Sequence, residues 1–105
     1  MGIDLTDGTK AKFTVKPKNR KLGDAPVDGP INAVNSNPIA TDLFFDPSTN
    51  TGTVTYLDGG AWKVDFVADA DLSSGVRNIT SSIEGTNAPL EAQTLEVEVG
   101  PIEPA

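Results

Sequence analysis

The sequence predicts a single all-β domain, a sandwich or barrel of six to eight short strands. Apolar residues recur at every second position in several segments, whereas helical periodicity is nearly absent. Stretches rich in Gly, Pro, Asn and Asp separate these segments at short intervals. A chain of 105 residues with 37% hydrophobic content is ordinary for one folded domain. We expect residues 1–105 to form one domain, with short arms at 1–9 and 100–105.

The first half of the chain contains three predicted strands. Ala11, Phe13 and Val15 alternate with lysines and a threonine, which indicates a half-buried strand with a basic outer face. Pro17 ends this strand because proline cannot donate to a β-ladder. A polar loop rich in Gly, Pro and Asp follows. Two further short strands are expected at residues 31–34 and 43–45, closed by turn signals at 35–38 and 46–50.

The second half of the chain predicts a hairpin and two more strands. Residues 53–56 and 62–66 both alternate and flank an Asp58-Gly59 turn, which is the strongest hairpin signal in the sequence. A strand is expected at 79–83, followed by a loop at 84–89. The last predicted strand is Leu95 to Val99, where leucine and valines alternate with glutamates before Gly100-Pro101.

Four large aromatic residues stand at alternating strand positions and are predicted to fill the core. Trp62 and Phe66 lie on one face of their strand together with Val64, and Lys63 and Asp65 lie on the other. A small domain has few other bulky side chains for its interior, so core anchors are favoured over a ligand-stacking platform. The aromatic residues expected in the core are Phe13, Tyr56, Trp62 and Phe66.

The composition argues against several classes of function. The net charge of −7 disfavours general nucleic-acid binding, which needs a positive footprint. The chain has no histidine or cysteine, which removes His-activated nucleophiles and thiolate or imidazole metal sites. We therefore expect no enzyme, no cofactor and no metal. The N-terminus has no signal-peptide pattern and no apolar run reaches the length of a membrane span, so we expect folding where the chain is made and no membrane insertion.

The basic side chains are concentrated near the N-terminus and form the candidate partner-contact residues. Residues 1–28 hold six of the eight basic residues, against four acids. They could dock on an acidic partner, or form a solvated strand face that deters edge-to-edge aggregation and lies beside the glutamates of residues 95–99. The candidate contact residues are Lys10, Lys12, Lys16, Lys18, Arg20 and Lys21.

The loop from Asp69 to Gly75 has oxygen-bearing side chains at alternate positions, as calcium loops do. Its glycine stands at the seventh position rather than the sixth, and its twelfth position is Thr80 rather than glutamate. An inter-strand loop whose aspartates form Asx-turns is the favoured interpretation.

Several segments, in order, resemble bacterial immunoglobulin-like domains of the Big type. The segments are residues 25–30 (APVDGP), 35–41 (NSNPIAT) and 52–55 (GTVT). The most specific is VADADLSSGVRNI at 67–79, which is similar to a recurrent TADADLGAGVxxI stretch in small, single-domain proteins of tailed phages and prophages. The chain departs from that pattern near Val34, where tryptophan is frequent in the family, and in its heavier basic segment.

The resemblance implies a fold, a function and a location. The expected fold is an immunoglobulin-like β-sandwich of about seven short strands, and the family supplies no catalytic residues. The expected function is a virion accessory protein that decorates or cements a capsid, assembled in the host cytoplasm. Its partner would be the major capsid protein or another virion component, and homo-oligomers are compatible with this role. The alternative is an adhesion module of a bacterial cell-surface protein.

Overall fold

The computed structural model describes residues 2–105, and within them every regular element is a β-strand. This confirms the all-β prediction, with six strands rather than about seven. Each strand predicted in residues 10–83 is present, and the last one extends through residue 87 instead of ending before a loop at 84–89. The strands are β1 (Lys10–Thr14), β2 (Asp28–Asn35), β3 (Thr41–Asp46), β4 (Thr51–Tyr56), β5 (Gly60–Asp69) and β6 (Asn78–Asn87).

The strands form two three-stranded antiparallel sheets, with the orders β1-β4-β3 and β2-β5-β6. Each sheet is built around one local hairpin, β3–β4 in the first and β5–β6 in the second. The inward-facing residues of both sheets belong to a single apolar cluster. The result is a sandwich-like arrangement in which alternation along each strand separates core from surface.

The core confirms the aromatic anchors predicted from the sequence. Tyr56, Trp62 and Phe66 are buried, and the half-buried Phe13 packs against them. The ring of Phe13 lies 5.3 Å from that of Phe66 in an edge-to-face contact and 6.0 Å from that of Phe45 in a stacked one. Such aromatic contacts are worth about 0.5–1.5 kcal/mol each beyond their buried area.

The predicted hairpin around Asp58-Gly59 is wrong, because β4 and β5 belong to different sheets. At the end of β4 the backbone N–H groups of Leu57 and Asp58 both donate to the carbonyl oxygen of Ala40, at 2.9 and 3.2 Å. The chain therefore passes from one sheet to the other at this point. The apolar faces of β4 and β5 then meet across the core, whereas in a hairpin they would lie side by side.

The predicted last strand at residues 95–99 is also wrong. Residues 88–105 contain no strand, and their alternating apolar side chains are exposed: Leu95 is 94% exposed, Val97 83% and Val99 89%. The described residues measure 83 Å along their longest axis against 23 and 21 Å across. We refer to residues 88–105 as the C-terminal arm.

The N-terminal residues 2–5 run beside the C-terminal half of β6, which we call the upper half; the same end of the molecule is called the upper end. Gly2 forms a parallel bridge with Glu84, the N–H of Ile3 donates to the Glu84 carbonyl at 2.8 Å, and Leu5 accepts a bond from Ala88. Gly85 makes this close approach feasible, because a Cβ at that position would overlap the carbonyl of Ile3. Residues 78–82, in the lower half of β6, have no such neighbour among the described residues.

A polar network closes the upper end of the core around Asn87, which is only 2% exposed. Its side-chain oxygen accepts the indole N–H of Trp62 at 2.8 Å. Its amide nitrogen donates to the carbonyl oxygens of Ala40 at 2.9 Å and of Asp58 at 3.1 Å. One buried side chain thus connects β6, β5 and the two segments that border β3 and β4.

Candidate binding surfaces

The six basic residues predicted as partner contacts are all exposed, and they lie on β1, on the segment that follows it and on the next loop. Lys10 and Lys12 project from the outer side of β1. Lys16 and Lys18 follow β1 at one side of the sandwich. Arg20 and Lys21 lie on the loop beyond them, where the Asn19 side chain accepts backbone bonds from Lys21 and Gly23.

Lys18 is the only one of these six in an ion pair within residues 2–105. Its ammonium group donates to the Asp24 carboxylate across the short loop, at 2.5 Å. This hydrogen bond, together with the positive charge, lowers the pKa of Asp24 below its usual value. The pair is solvent-exposed, so its role is to hold the loop rather than to add much stability.

The outer side of the β1-β4-β3 sheet is a surface that we call the threonine face. The central strand, β4, contributes only threonines to this face. Among the described residues no other strand or helix covers the face. The pairing register arranges its side chains in three rows across the sheet. From one end to the other the rows are Lys10-Thr55-Asp42, Lys12-Thr53-Phe44 and Thr14-Thr51-Asp46.

Phe44 is the one aromatic side chain on the threonine face, and 63% of it is exposed. Lys12, Thr51 and Thr53 border a shallow depression next to it. The backbone beneath is closely packed, because a Cβ on Gly52 would lie 2.5 Å from the ring of Phe13. An exposed aromatic ring on an open sheet face is typical of a protein contact surface.

The Asp69–Gly75 loop uses its carboxylates to hold its own backbone, which confirms the predicted Asx-turns. Asp69 Oδ1 accepts the N–H groups of Asp71 and Arg77, each at 2.9 Å. Asp71 Oδ1 accepts the hydroxyl and the N–H of Ser73. The Ser73 bonds lower the pKa of Asp71. Within residues 2–105 no three acidic side chains converge in a way that would hold a metal ion.

A narrow apolar groove opens at the side of the sandwich where β1 and the lower half of β6 are both edge strands. We call it the edge groove. Val15, Ile79 and the half-exposed residues around them form its rim, and Phe66 contributes to its floor. Sequence reasoning missed this groove because it depends on which strands become edges. It is lined by Val15, Lys16, Pro17, Lys18, Ile31, Phe66, Val67, Ala68, Ile79, Thr80 and Ser81.

The backbone of β1 also presents free hydrogen-bonding groups on this side. The N–H of Val15 donates to Asn50 and the carbonyl of Thr9 accepts from Tyr56, so odd-numbered residues direct their polar groups toward β4. Successive residues of a strand alternate in this direction. The N–H and C=O groups of Lys12, Thr14 and Lys16 therefore point to the open side.

No protein-family model matches the chain, and a search of curated proteins gives no match. Among the described residues there is no helix with the length and apolarity needed to cross a membrane.

Proposed function

We propose that this chain is a non-enzymatic, immunoglobulin-like module that attaches to a larger protein surface, most specifically as an accessory decoration protein of a phage particle. The observation that carries the proposal is the threonine face, an open sheet surface on which the exposed Phe44 ring and Lys12 stand at the two ends of one row of side chains. Exposed aromatic side chains are frequent anchors of protein interfaces, and short threonine side chains lose little entropy when a partner covers them.

The strand order supports the immunoglobulin-like part of the proposal. Immunoglobulin sandwiches place strands B, E and D in one sheet and C, F and G in the other. The order β1-β4-β3 corresponds to B-E-D, and β2-β5-β6 corresponds to C-F-G. The six strands then correspond to strands B to G. Strand A, which lies next to B in such domains, has no counterpart among them. The resemblance of residues 67–79 to phage proteins points to a virion as the larger surface.

The first experiment is quantitative proteomics on purified particles of the phage or prophage that encodes the chain. A decoration protein is expected in a copy number that matches a repeating lattice site of the particle. Absence from particles, with the chain recovered from cell envelopes, would contradict the virion role and support the adhesion module.

A second experiment tests the surface itself. Binding of the purified chain to particles that lack it should fall at least about tenfold for Phe44→Ala and for the double variant Lys10→Glu, Lys12→Glu, since interface anchors contribute more than about 1.4 kcal/mol. Lys63→Glu is the control, because Lys63 is also exposed, on the outer side of the other sheet. Equal binding by all variants would exclude the threonine face as the contact.

A further inference from the structure

The C-terminal arm exposes apolar side chains and has no strand partner among the described residues, and the edge groove is an apolar surface next to an edge strand. The arm carries three apolar side chains at strand spacing that are more than four-fifths exposed. The groove side carries an edge strand whose even-numbered backbone groups are free. We propose that the arm of one copy adds to β1 of a second copy, as a fourth strand of its first sheet that covers the edge groove. This contact goes beyond attachment to a particle and does not depend on it.

The side chains of the arm alternate with the same period as those of β1, and their charges are opposite to those of β1. On the inner side of β1 and its extension stand Ala11, Phe13 and Val15, and on the outer side stand lysines. The arm alternates in the same way, with Leu95, Val97 and Val99 separated by glutamates. An added strand therefore directs its apolar residues into the groove and its glutamates toward the lysines, which is the pattern of β-strand addition to an open sheet edge.

One antiparallel register places the apolar side chains of the arm in the groove and its glutamates next to the lysines of β1. With Val97 opposite Val15, Val99 lies opposite Phe13 and Glu96 opposite Lys16. Glu98 then stands opposite Thr14 and diagonal to Lys12, within reach of its ammonium group. The backbone groups that pair across the strands are those of Lys12, Thr14 and Lys16, which are the free ones. Pro101 lies opposite Ala11 and directs its backbone nitrogen away from β1, where its missing N–H does no harm.

The occupant is a second copy rather than the same chain, because the start of the arm is fixed pointing away. Ala88 donates to the carbonyl of Leu5 and accepts the Tyr56 hydroxyl, and Pro89 packs against Gly59 at the upper end of the sandwich. The arm then extends the molecule to 83 Å. Its 18 residues span up to roughly 60 Å when extended, enough to reach the side of a neighbouring domain.

Sedimentation velocity of the purified chain, from about 10 µM to about 1 mM, tests the contact. We expect the mean mass to rise with concentration, as reciprocal dimers or as longer head-to-tail chains. Val97→Asp places a charge in the groove and should abolish this rise. Leu90→Asp, the same kind of change at a residue that is 51% exposed and precedes the paired segment of the arm, should leave it unchanged. A monomer at every concentration, or equal loss in both variants, would overturn the proposal.

Cysteine cross-linking tests the register and the identity of the occupant. The chain has no cysteine, so Lys16→Cys and Glu96→Cys can be placed on separate chains. Opposed residues of an antiparallel pair lie within disulfide range, so mixing the two chains under mild oxidation should give the mixed dimer. A mixture of Lys16→Cys with Ile102→Cys should give little. In a double Lys16→Cys, Glu96→Cys chain, a disulfide formed only within one chain would show that the arm folds back on its own β1, which would also overturn the proposal.

Failure here and failure of the proposed function are distinguishable. The self-association assays contain no particle, and Phe44 is on β3, at the opposite edge of the sheet from β1. A chain that stays monomeric yet binds particles through Phe44 would refute the arm contact alone.

Discussion

The indole N–H of Trp62 donates to the side-chain oxygen of Asn87 at 2.8 Å in the interior of the domain. Trp62 lies at the beginning of β5 and Asn87 at the end of β6, so the bond closes the upper end of that sheet. Through its amide nitrogen, Asn87 also holds the carbonyls of Ala40 and Asp58 next to the other sheet. The alignment of the two sheets at this end depends on one polar side chain.

Replacing Asn87 with alanine should lower the free energy of unfolding by about 2–4 kcal/mol, because the Trp62 N–H would be left buried without its partner and the bonds to the Ala40 and Asp58 carbonyls would be lost. Urea unfolding followed by tryptophan fluorescence measures this. Asn78→Ala is the matched control on the same strand. Asn78 is exposed, so its replacement should change stability by less than about 0.5 kcal/mol. A loss of similar size in both variants would show that the Asn87 network does not fix the two sheets.

Phe66→Ala should destabilise the domain by about 3–5 kcal/mol, since Phe66 is 5% exposed and contacts two other aromatic rings. Phe44→Ala removes the same atoms from a ring that is 63% exposed and should cost less than about 1 kcal/mol. Comparison of their denaturant midpoints tests which face of each strand is the core face.

Gly85→Ala should displace residues 2–5, because the added Cβ would overlap the Ile3 carbonyl. The expected result is loss of hydrogen-exchange protection at the Ile3 amide while amides within β5 stay protected. Gly100→Ala, which has open space around it, should leave both sites unchanged. Retained protection at Ile3 in Gly85→Ala would contradict the close pairing of the N-terminal residues with β6.

Acid should destabilise the domain through three surface carboxylates. Hydrogen bonds from Lys18 to Asp24, from Ser48 to Asp46 and from Ser73 to Asp71 lower the pKa of each below its usual value of 3.8. The unfolded state therefore takes up protons at higher pH than the folded state does. The stabilisation is present above about pH 4 and is lost as the pH falls through the folded-state values. Urea unfolding between about pH 6 and about pH 2 should show this loss, and Asp71→Asn should reduce it whereas Glu103→Gln in the arm should not.

At high pH the sign reverses for Tyr56. Burial, followed by the nearby charges of Asp7 and Asp58, raises the pKa of its hydroxyl above 10.0. The unfolded chain loses that proton first, so stability is full below pH 10.0 and declines as the pH rises through the folded-state value. Tyr56→Phe should unfold with less dependence on pH in this range, as monitored by circular dichroism. An unchanged dependence would show that the hydroxyl ionises freely in the folded state.

The sequence predicts which side chains face inward far better than which strands pair. Alternation in residues 62–66 correctly separates Trp62, Val64 and Phe66 from Lys63 and Asp65, because side-chain direction is a local property of a strand. Pairing is not local. The turn residues Asp58-Gly59 have hairpin chemistry, yet the bonds from Leu57 and Asp58 to Ala40 direct the chain into the other sheet.

In the candidate surfaces too, local side-chain direction is predictable from the sequence and strand pairing is not. The lysines of β1 and their outward direction are predictable from alternation, whereas residues 95–99 alternate in the same way and form no strand. Phe44 on the threonine face and the edge groove are not predictable, because both depend on which strands become neighbours and which become edges. The alternating residues of the arm are a strand pattern for which the domain itself provides no partner.

The passage of the chain between sheets at residues 57–59 also has a consequence for the order of folding. Each sheet has one hairpin between consecutive strands, β3–β4 and β5–β6, and each depends on one pairing between strands far apart in sequence, β1–β4 and β2–β5. The hairpins can form early, but neither buries its apolar face until residues 57–59 bring them together. We expect folding in milliseconds to seconds, limited by that docking step. Asn87→Ala should then slow refolding in stopped-flow measurements more than Phe13→Leu does, because the Asn87 side chain bonds the β5–β6 hairpin to the segments that border the β3–β4 hairpin, whereas Phe13 belongs to neither hairpin.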